Sequence, residues 1–291
     1  MTEGKETRAS SVTETSQPEA TEAPAFEGME FASYAPLRAC TERTKCPRCG
    51  HPRKYFCYDC AVPLTEGVPR VALPLAADIV HYRTEQRSKS TSVHGVLLAP
   101  AHVRLVEYPR DVDARPAPYD AAETVVLYPA PDAVAVAELP RAALAQIRRV
   151  VLLDSQWSNA PRMLRHPALA GLRRDTLRTA RTAFWRYQRH GQDHLATIEA
   201  LYWFVREFAA ARDGTPYAGQ FDNLLWYFSF NYALIQEHYN KRRDRSFVHI
   251  KNYIRYKDDD SSETDHHEQD QQQQPASKKP RDSNDVESEE K

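Results

Sequence analysis

All five cysteines of this 291-residue chain fall between Cys40 and Cys60. Four of them form two Cys-x-x-Cys knuckles, Cys46 with Cys49 and Cys57 with Cys60, separated by seven residues. Paired knuckles can place four thiolates tetrahedrally around one ion, so a zinc site is expected here. Gly50 can supply the turn after the first knuckle. Arg43, Lys45, Arg48, Arg53 and Lys54 would favour deprotonated thiolates. Four thiolates leave no open position on the metal, so its role is expected to be structural. Cys40 is left over, as an unpaired thiol. Cysteines so narrowly clustered do not make a disulfide scaffold, and they suit a reducing compartment.

A second constellation is Asp154-Ser155-Gln156-Trp157, directly after the apolar run Val150-Val151-Leu152-Leu153. A carboxylate, two polar groups and an indole at a strand-to-helix turn suit a binding or catalytic site. The tryptophan offers a flat apolar face to a base. A helix should follow, with Ser158 or Asn159 as its N-cap and Pro161 in its first turn. The alternative is an ordinary capped turn with Trp157 in the core. A third feature is basic: eight arginines lie between Arg162 and Arg189 against one acid, Asp175. They are interleaved with aromatic residues such as Phe184, Trp185 and Tyr187, as phosphate contacts and base stacking require. A solvated basic face is the plainer explanation.

These groups need a frame. Residues 68–75, 78–82, 103–108 and 124–128 read as strands and 140–149 as a helix. Residues 150–154 are a strand buried on both faces, as in a parallel sheet. Two long helices are expected at 195–210, capped by Asp193, and at 221–239. Residues 173–178 look like an edge strand or loop. Strands alternating with helices indicate an α/β domain with a mainly parallel sheet. Ligands then sit at the carboxyl ends of the strands, which directs attention to Tyr128-Pro129 and to Asp154.

Charge divides the chain further. Residues 1–28 hold six acidic and two basic groups, and residues 257–291 hold twelve and five, so the 228 residues between carry +10 of the overall −1. Both ends are too poor in apolar residues to offset chain entropy and are expected to be disordered acidic tails. The expected organisation is a tail at 1–28, a zinc-knuckle module at 38–66, a catalytic domain at 67–256 and a second tail at 257–291. No apolar run approaches the ~20 residues that span a bilayer, so no membrane partner is expected. The polar start, Met1-Thr2-Glu3-Gly4-Lys5, is not expected to act as a secretory signal.

The knuckles, the Leu153-Asp154-Ser155-Gln156-Trp157 turn with Met163 beyond it, Phe184-Trp185-Arg186, Thr197-Ile198-Glu199-Ala200 and the later Tyr217-Ala218-Gly219-Gln220-Phe221 block resemble the DTW-domain proteins. The likeness is nearest to the eukaryotic type 1 members, which are tRNA-uridine aminocarboxypropyltransferases, and covers roughly residues 38–245. It implies a fold related to the SPOUT methyltransferases, with a knotted C-terminal half that holds S-adenosylmethionine. It also implies transfer of the 3-amino-3-carboxypropyl group to N3 of a tRNA uridine, in the D-loop, with methylthioadenosine leaving. The family turn is usually Asp-x-Thr-Trp. Here Gln156 keeps hydrogen-bonding capacity but lacks the hydroxyl and the β-branch.

On that resemblance Asp154 and Trp157 are the catalytic candidates. Asp154 serves as general base to N3 or holds cofactor hydroxyls or the ammonium group, and Trp157 walls the site. Tyr128, Pro129, Asp154, Ser155, Gln156, Trp157, Thr197 and Glu199 are the candidate cofactor contacts. Glu199 either meets the ammonium group or faces solvent. Arg173, Arg174, Arg178, Arg186 and Arg189 are the tRNA-binding candidates, and Cys46, Cys49, Cys57 and Cys60 the metal ligands. His81, in a polar block that runs to Ser90-Thr91-Ser92, binds substrate or is structural. An RNA methyltransferase of the same fold and a non-catalytic zinc-ribbon RNA-binding protein are the competing functions. Ser277-Lys278-Lys279-Pro280-Arg281 is a compact basic island in the acidic tail, which a nuclear import receptor could read, so the nucleus is the expected location.

Overall fold

A run such as Val150-Val151-Leu152-Leu153 needs apolar cover on both sides, and the computed structural model of the chain provides it. Residues 24–115, 118–178, 181–184 and 194–240 are described. In chain order the strands are β1 (Thr44–Lys45), β2 (Pro52–Arg53), β3 (Phe56–Cys57), β4 (Val62–Pro63), β5 (Ala76–Tyr82), β6 (Val103–Tyr108), β7 (Thr124–Leu127), β8 (Val134–Ala135), β9 (Arg149–Asp154) and β10 (Arg173–Thr176). The α-helices are α1 (Ala35–Ala39), α2 (Ser92–Leu98), α3 (Arg110–Asp113), α4 (Arg141–Gln146), α5 (Ala160–Leu164), α6 (Pro167–Ala170), α7 (Thr197–Asp213) and α8 (Trp226–Asn240).

The last six strands form one parallel sheet in the order β6-β5-β9-β7-β10-β8. β9 therefore lies between β5 and β7. Its Val150 and Leu152 point into one core and Val151 into the other. The first core is closed by α2, α4, α7 and α8, with Leu97, Leu144, Phe204 and Trp226 fully buried. The second is closed by α3, α5 and α6, through Val112, Met163 and Leu169. This is a three-layer α/β/α arrangement, and it explains why β9 is apolar at successive positions rather than at alternate ones.

The two knuckles occupy the turns of two small antiparallel ribbons, β1–β2 and β3–β4. Residues after the second ribbon strand anchor the module on the body. Tyr55 meets Phe230 edge-on, and Phe56 meets both Tyr227 and His94. The chain ahead of the ribbons also packs: Phe26 lies against Phe228 and Tyr232, and Tyr34 stacks on Trp226 and Phe230. Packing thus begins inside the stretch assigned to the N-terminal tail, because Phe26 supplies a buried ring.

Several elements differ from expectation. Residues 68–75 bury Val71, Leu73 and Leu75 at alternate positions but form no strand. Pro69 and Pro74 lack the N–H groups a ladder needs. The expected helix at 221–239 starts as a 3₁₀ turn (Asp222–Leu225) before α8. α7 begins at Thr197 with Ala196 as N-cap, whose N–H is accepted by Glu199 at 2.8 Å. Asp193, the expected cap, lies outside the described residues, as do the C-terminal tail and its basic island. The connection between β10 and α7, where a knot would close, includes residues 179–180 and 185–193, which also lie outside them.

The stretch expected as an edge strand or loop is β10, paired on both sides with β7 and β8. Its arginines are engaged. Arg173 donates to both oxygens of the fully buried Asp175, at 2.8 and 3.1 Å, and Arg174 pairs with Asp132 at 2.6 Å. Burial pushes the Asp175 carboxyl above its ordinary range, against the pull of Arg173. Removing the guanidinium strands a desolvated carboxylate. Arg173→Ala should therefore lower stability by about 2 kcal/mol in denaturant unfolding. Adding Asp175→Asn should recover most of that loss. An unchanged unfolding midpoint for Arg173→Ala would contradict the pairing.

Candidate active site

The parallel register sets the first contact of the site. His81 at the end of β5 lies directly beside Asp154 at the end of β9. Both are buried, and His81 Nδ1–H donates to Asp154 Oδ2 at 2.6 Å. The same oxygen accepts from Ser90 Oγ at 2.7 Å. Ser90 has one hydroxyl proton, so with that proton on Asp154 it must accept from Ser92 Oγ, 2.7 Å away. Asp154 Oδ1 accepts from Thr197 Oγ1 at 2.8 Å, at the first turn of α7. Burial raises the Asp154 pKa, but His81, Ser90 and Thr197 together outweigh it and hold the carboxyl below its ordinary range.

Two further bonds tie the same loop down. Thr91 Oγ1 accepts from Ile198 N at 3.2 Å, joining the loop to the start of α7. Glu85 Oε1 accepts from Gln156 N at 3.2 Å, joining it to the turn after β9. The residues between β5 and α2 thus brace β9 and α7 at once. Arg87 links this loop to the cysteine module, donating to Asp59 O at 3.1 Å.

A cavity of about 360 Å³ opens at the carboxyl ends of β7, β9 and β10, beside the start of α7. Five of the expected contacts line it: Tyr128, Pro129, Ser155, Trp157 and Thr197. Trp157 lies 6.0 Å from the Tyr128 ring and 4.5 Å from that of His194, between centroids. Leu152, Leu153, Leu177 and Ala160 make much of the wall apolar. Three expected contacts do not line it. Asp154 sits behind Thr197, and exposed Gln156 is fixed through its backbone.

Glu199, the third, does not face solvent. It is buried, with its carboxylate accepting from Thr182 Oγ1, Ala183 N and Ala196 N at 2.6–2.8 Å. Burial raises its pKa to about 7 against those three donors. It clamps the 182–184 segment to the head of α7. The composition of the helix gave no sign of this, because two of the three donors, Thr182 and Ala183, come from a distant segment.

Of the expected tRNA contacts, Arg178 lines the cavity, Arg173 and Arg174 are paired on β10, and Arg186 and Arg189 lie outside the described residues. His194, Thr176 and the strand-end leucines are cavity residues that the sequence reading missed. The rule that parallel strands present ligands at their carboxyl ends was the available signal for them.

The ligand atoms of Cys46, Cys49, Cys57 and Cys60 all lie within 4.8 Å of one another, and Cys49 Sγ is 3.6 Å from Cys57 Sγ. Tetrahedral bonds of ~2.3 Å from sulfur to zinc set the sulfurs about 3.8 Å apart, so the donor set fits one such ion. The residue after each knuckle, Gly50 or Ala61, has a positive φ, so both knuckles make the same left-handed turn. Burial opposes ionisation of Cys46, yet the backbone N–H groups of Cys49 and Arg48 carry it down to about 7. Burial and contacts with the other sulfurs push Cys60 up to about 12. So close a set cannot ionise together without a cation among them. Cys40 stands apart, donating to Lys54 O at 3.1 Å.

The family described as the DTW domain matches residues 43–236. A protein of Mus musculus named tRNA-uridine aminocarboxypropyltransferase 1 is 32% identical over 257 residues, covering 72% of this chain and 84% of its own. Proteins of the same name from Rattus norvegicus and Homo sapiens are 32% and 27% identical, each over 67% of this chain and 78% and 77% of their own. Among solved structures, the SAM-dependent rRNA:acp-transferase Tsr3 from Vulcanisaeta distributa aligns with 55% of this chain and 84% of its own, at 18% identity and a TM-score of 0.32.

Proposed function

Because this chain belongs to the DTW domain family, we propose that it transfers the 3-amino-3-carboxypropyl group of S-adenosylmethionine to N3 of a uridine in tRNA. The observation that carries the reading is positional. Ser155 and Trp157, from the turn that bears the family likeness, line a nucleoside-sized cavity at the carboxyl ends of the parallel strands. Uridine N3 gives up its proton to water and bonds to the γ-carbon. The carbon–sulfur bond breaks, its electron pair stays on sulfur, and neutral methylthioadenosine leaves.

The chain's own residues bind and orient. Trp157 and Tyr128 offer aromatic faces beside the apolar wall. Thr197 gives its proton to Asp154, so it meets a ligand as a hydrogen-bond acceptor, which suits an ammonium or ribose hydroxyl. Asp154 accepts three hydrogen bonds and is held at low basicity, which makes it a poor base for N3. We therefore assign it a positioning role, holding Thr197 and the 83–92 loop. Selecting one of three carbons on the same sulfur is a problem of orientation, and rigid support serves it.

The four cysteines, with no coordination position to spare, would hold zinc for structure. The module bonds through Arg87 to the loop that supports Asp154, so its loss should loosen the site as well as the ribbons. Arg186 and Arg189 remain the proposed phosphate contacts.

Two experiments test these assignments. The full chain incubated with unmodified tRNA and S-adenosylmethionine labelled in its carboxypropyl chain should yield labelled aminocarboxypropyluridine and an equal amount of methylthioadenosine. A methylated nucleoside, or tRNA binding without turnover, would overturn the reading. Native mass spectrometry should find one zinc per chain, and Cys49→Ser should lose it with a lowered melting temperature. Metal-free protein of unchanged stability would remove the zinc.

A further inference from the structure

The cavity wall has an unusual charge pattern. Among the described residues that line it, Arg178 is the one group with a permanent charge, and no carboxylate lines it. Arg178 follows the last residues of β10, next to Thr176 and Leu177 on the same wall. Its backbone N–H is held by Glu207 Oε2 at 3.4 Å. Among the described residues its guanidinium makes one ion-pair contact within 4 Å, Glu138 at 3.6 Å with both side chains more than half exposed, and Glu207 lies near enough to feel its charge. A pair of that kind is worth little, so the guanidinium can exchange Glu138 for a ligand at small cost. Arg173 and Arg174, which precede it on β10, do not line the cavity, and each is hydrogen-bonded to an aspartate.

The transfer proposed above concerns a ligand with three charged groups: a sulfonium, an ammonium and a carboxylate. Only the carboxylate is complementary to an arginine, and the guanidinium fork matches its two oxygens. The carboxylate also belongs to the group that is transferred. A methyl donor needs no such hold, whereas an aminocarboxypropyl donor must have its chain laid out so that the γ-carbon faces the nucleophile. Fixing the chain at its far end and the adenosine against the apolar wall leaves the γ-carbon between two anchored points. We propose that Arg178 is the carboxylate clamp of the aminocarboxypropyl chain, a specificity residue for which carbon is attacked, and not a phosphate contact. This rests on the transfer reading.

Calorimetric binding separates the possibilities without turnover. The probes are S-adenosylmethionine, its decarboxylated analogue and methylthioadenosine, titrated into wild-type protein, Arg178→Ala and Arg178→Lys. Arg178 is exposed, so both variants should melt with the wild type. Arg178→Ala should weaken S-adenosylmethionine by about 10- to 100-fold. The two ligands that lack the carboxylate should change by less than about twofold, and Arg178→Lys should fall between. Affinity for tRNA should stay within about twofold of wild type. Equal losses for S-adenosylmethionine and its decarboxylated analogue would overturn the clamp. So would a loss confined to tRNA, which would return Arg178 to the phosphate contacts. Wild-type protein that binds none of the three small ligands would overturn the transfer reading together with the clamp.

Discussion

A carboxylate taken out of water at the end of a buried strand must be given hydrogen bonds, and the site is organised around meeting that demand for Asp154. Its donors are His81 from β5, Ser90 from the following loop and Thr197 from α7. Each bond has a structural consequence. The His81 bond pins the ends of two neighbouring strands, the Ser90 bond folds the loop inward, and the Thr197 bond fixes how α7 approaches the sheet. Loss of any one leaves a buried charge short of a partner, which costs more than the bond itself contributes.

The sheet order makes this arrangement possible. β9 enters between β5 and β7, so its carboxyl end arrives beside strands laid down much earlier in the chain. β10 repeats the move between β7 and β8, and its end supplies Thr176, Leu177 and Arg178 to the cavity. Glu199 then holds the segment beyond β10 against the head of α7. The cavity is thus enclosed by the ends of β7, β9 and β10 and the head of α7, with buried Asp154 and Glu199 tying β9 and the segment beyond β10 to that helix. Its apolar wall follows from the need of β7 and β9 for cover on both faces.

How much of this was legible in the sequence depends on how local the cause was. The strand ending at Asp154 was legible because burial on both faces leaves a continuous apolar run in the residues themselves. The cysteine cluster was legible because knuckle spacing is local. Residues 68–75 misled because apolar alternation was present while Pro69 and Pro74 denied the ladder. Arg173 and Arg174 read as a free basic face because nothing marked Asp175 as buried or Asp132, 42 residues away, as a partner. Asp154 and Thr197 were identified as site residues, but the sequence could not show that one supports the other across 43 positions. Residue type announced the chemistry; the direction of each hydrogen bond came only from the fold.

Asp154 is proposed to work as an ionised, hydrogen-bonded support and not as a proton acceptor. Titration of its side-chain carboxyl carbon in ¹³C-aspartate-labelled protein, assigned by difference from Asp154→Asn, reads its protonation state. The midpoint should lie below the ordinary aspartate value of 3.8, with a flat signal from about pH 5 to 9. A midpoint near neutrality, as a general base poised for proton uptake would show, would contradict the support role.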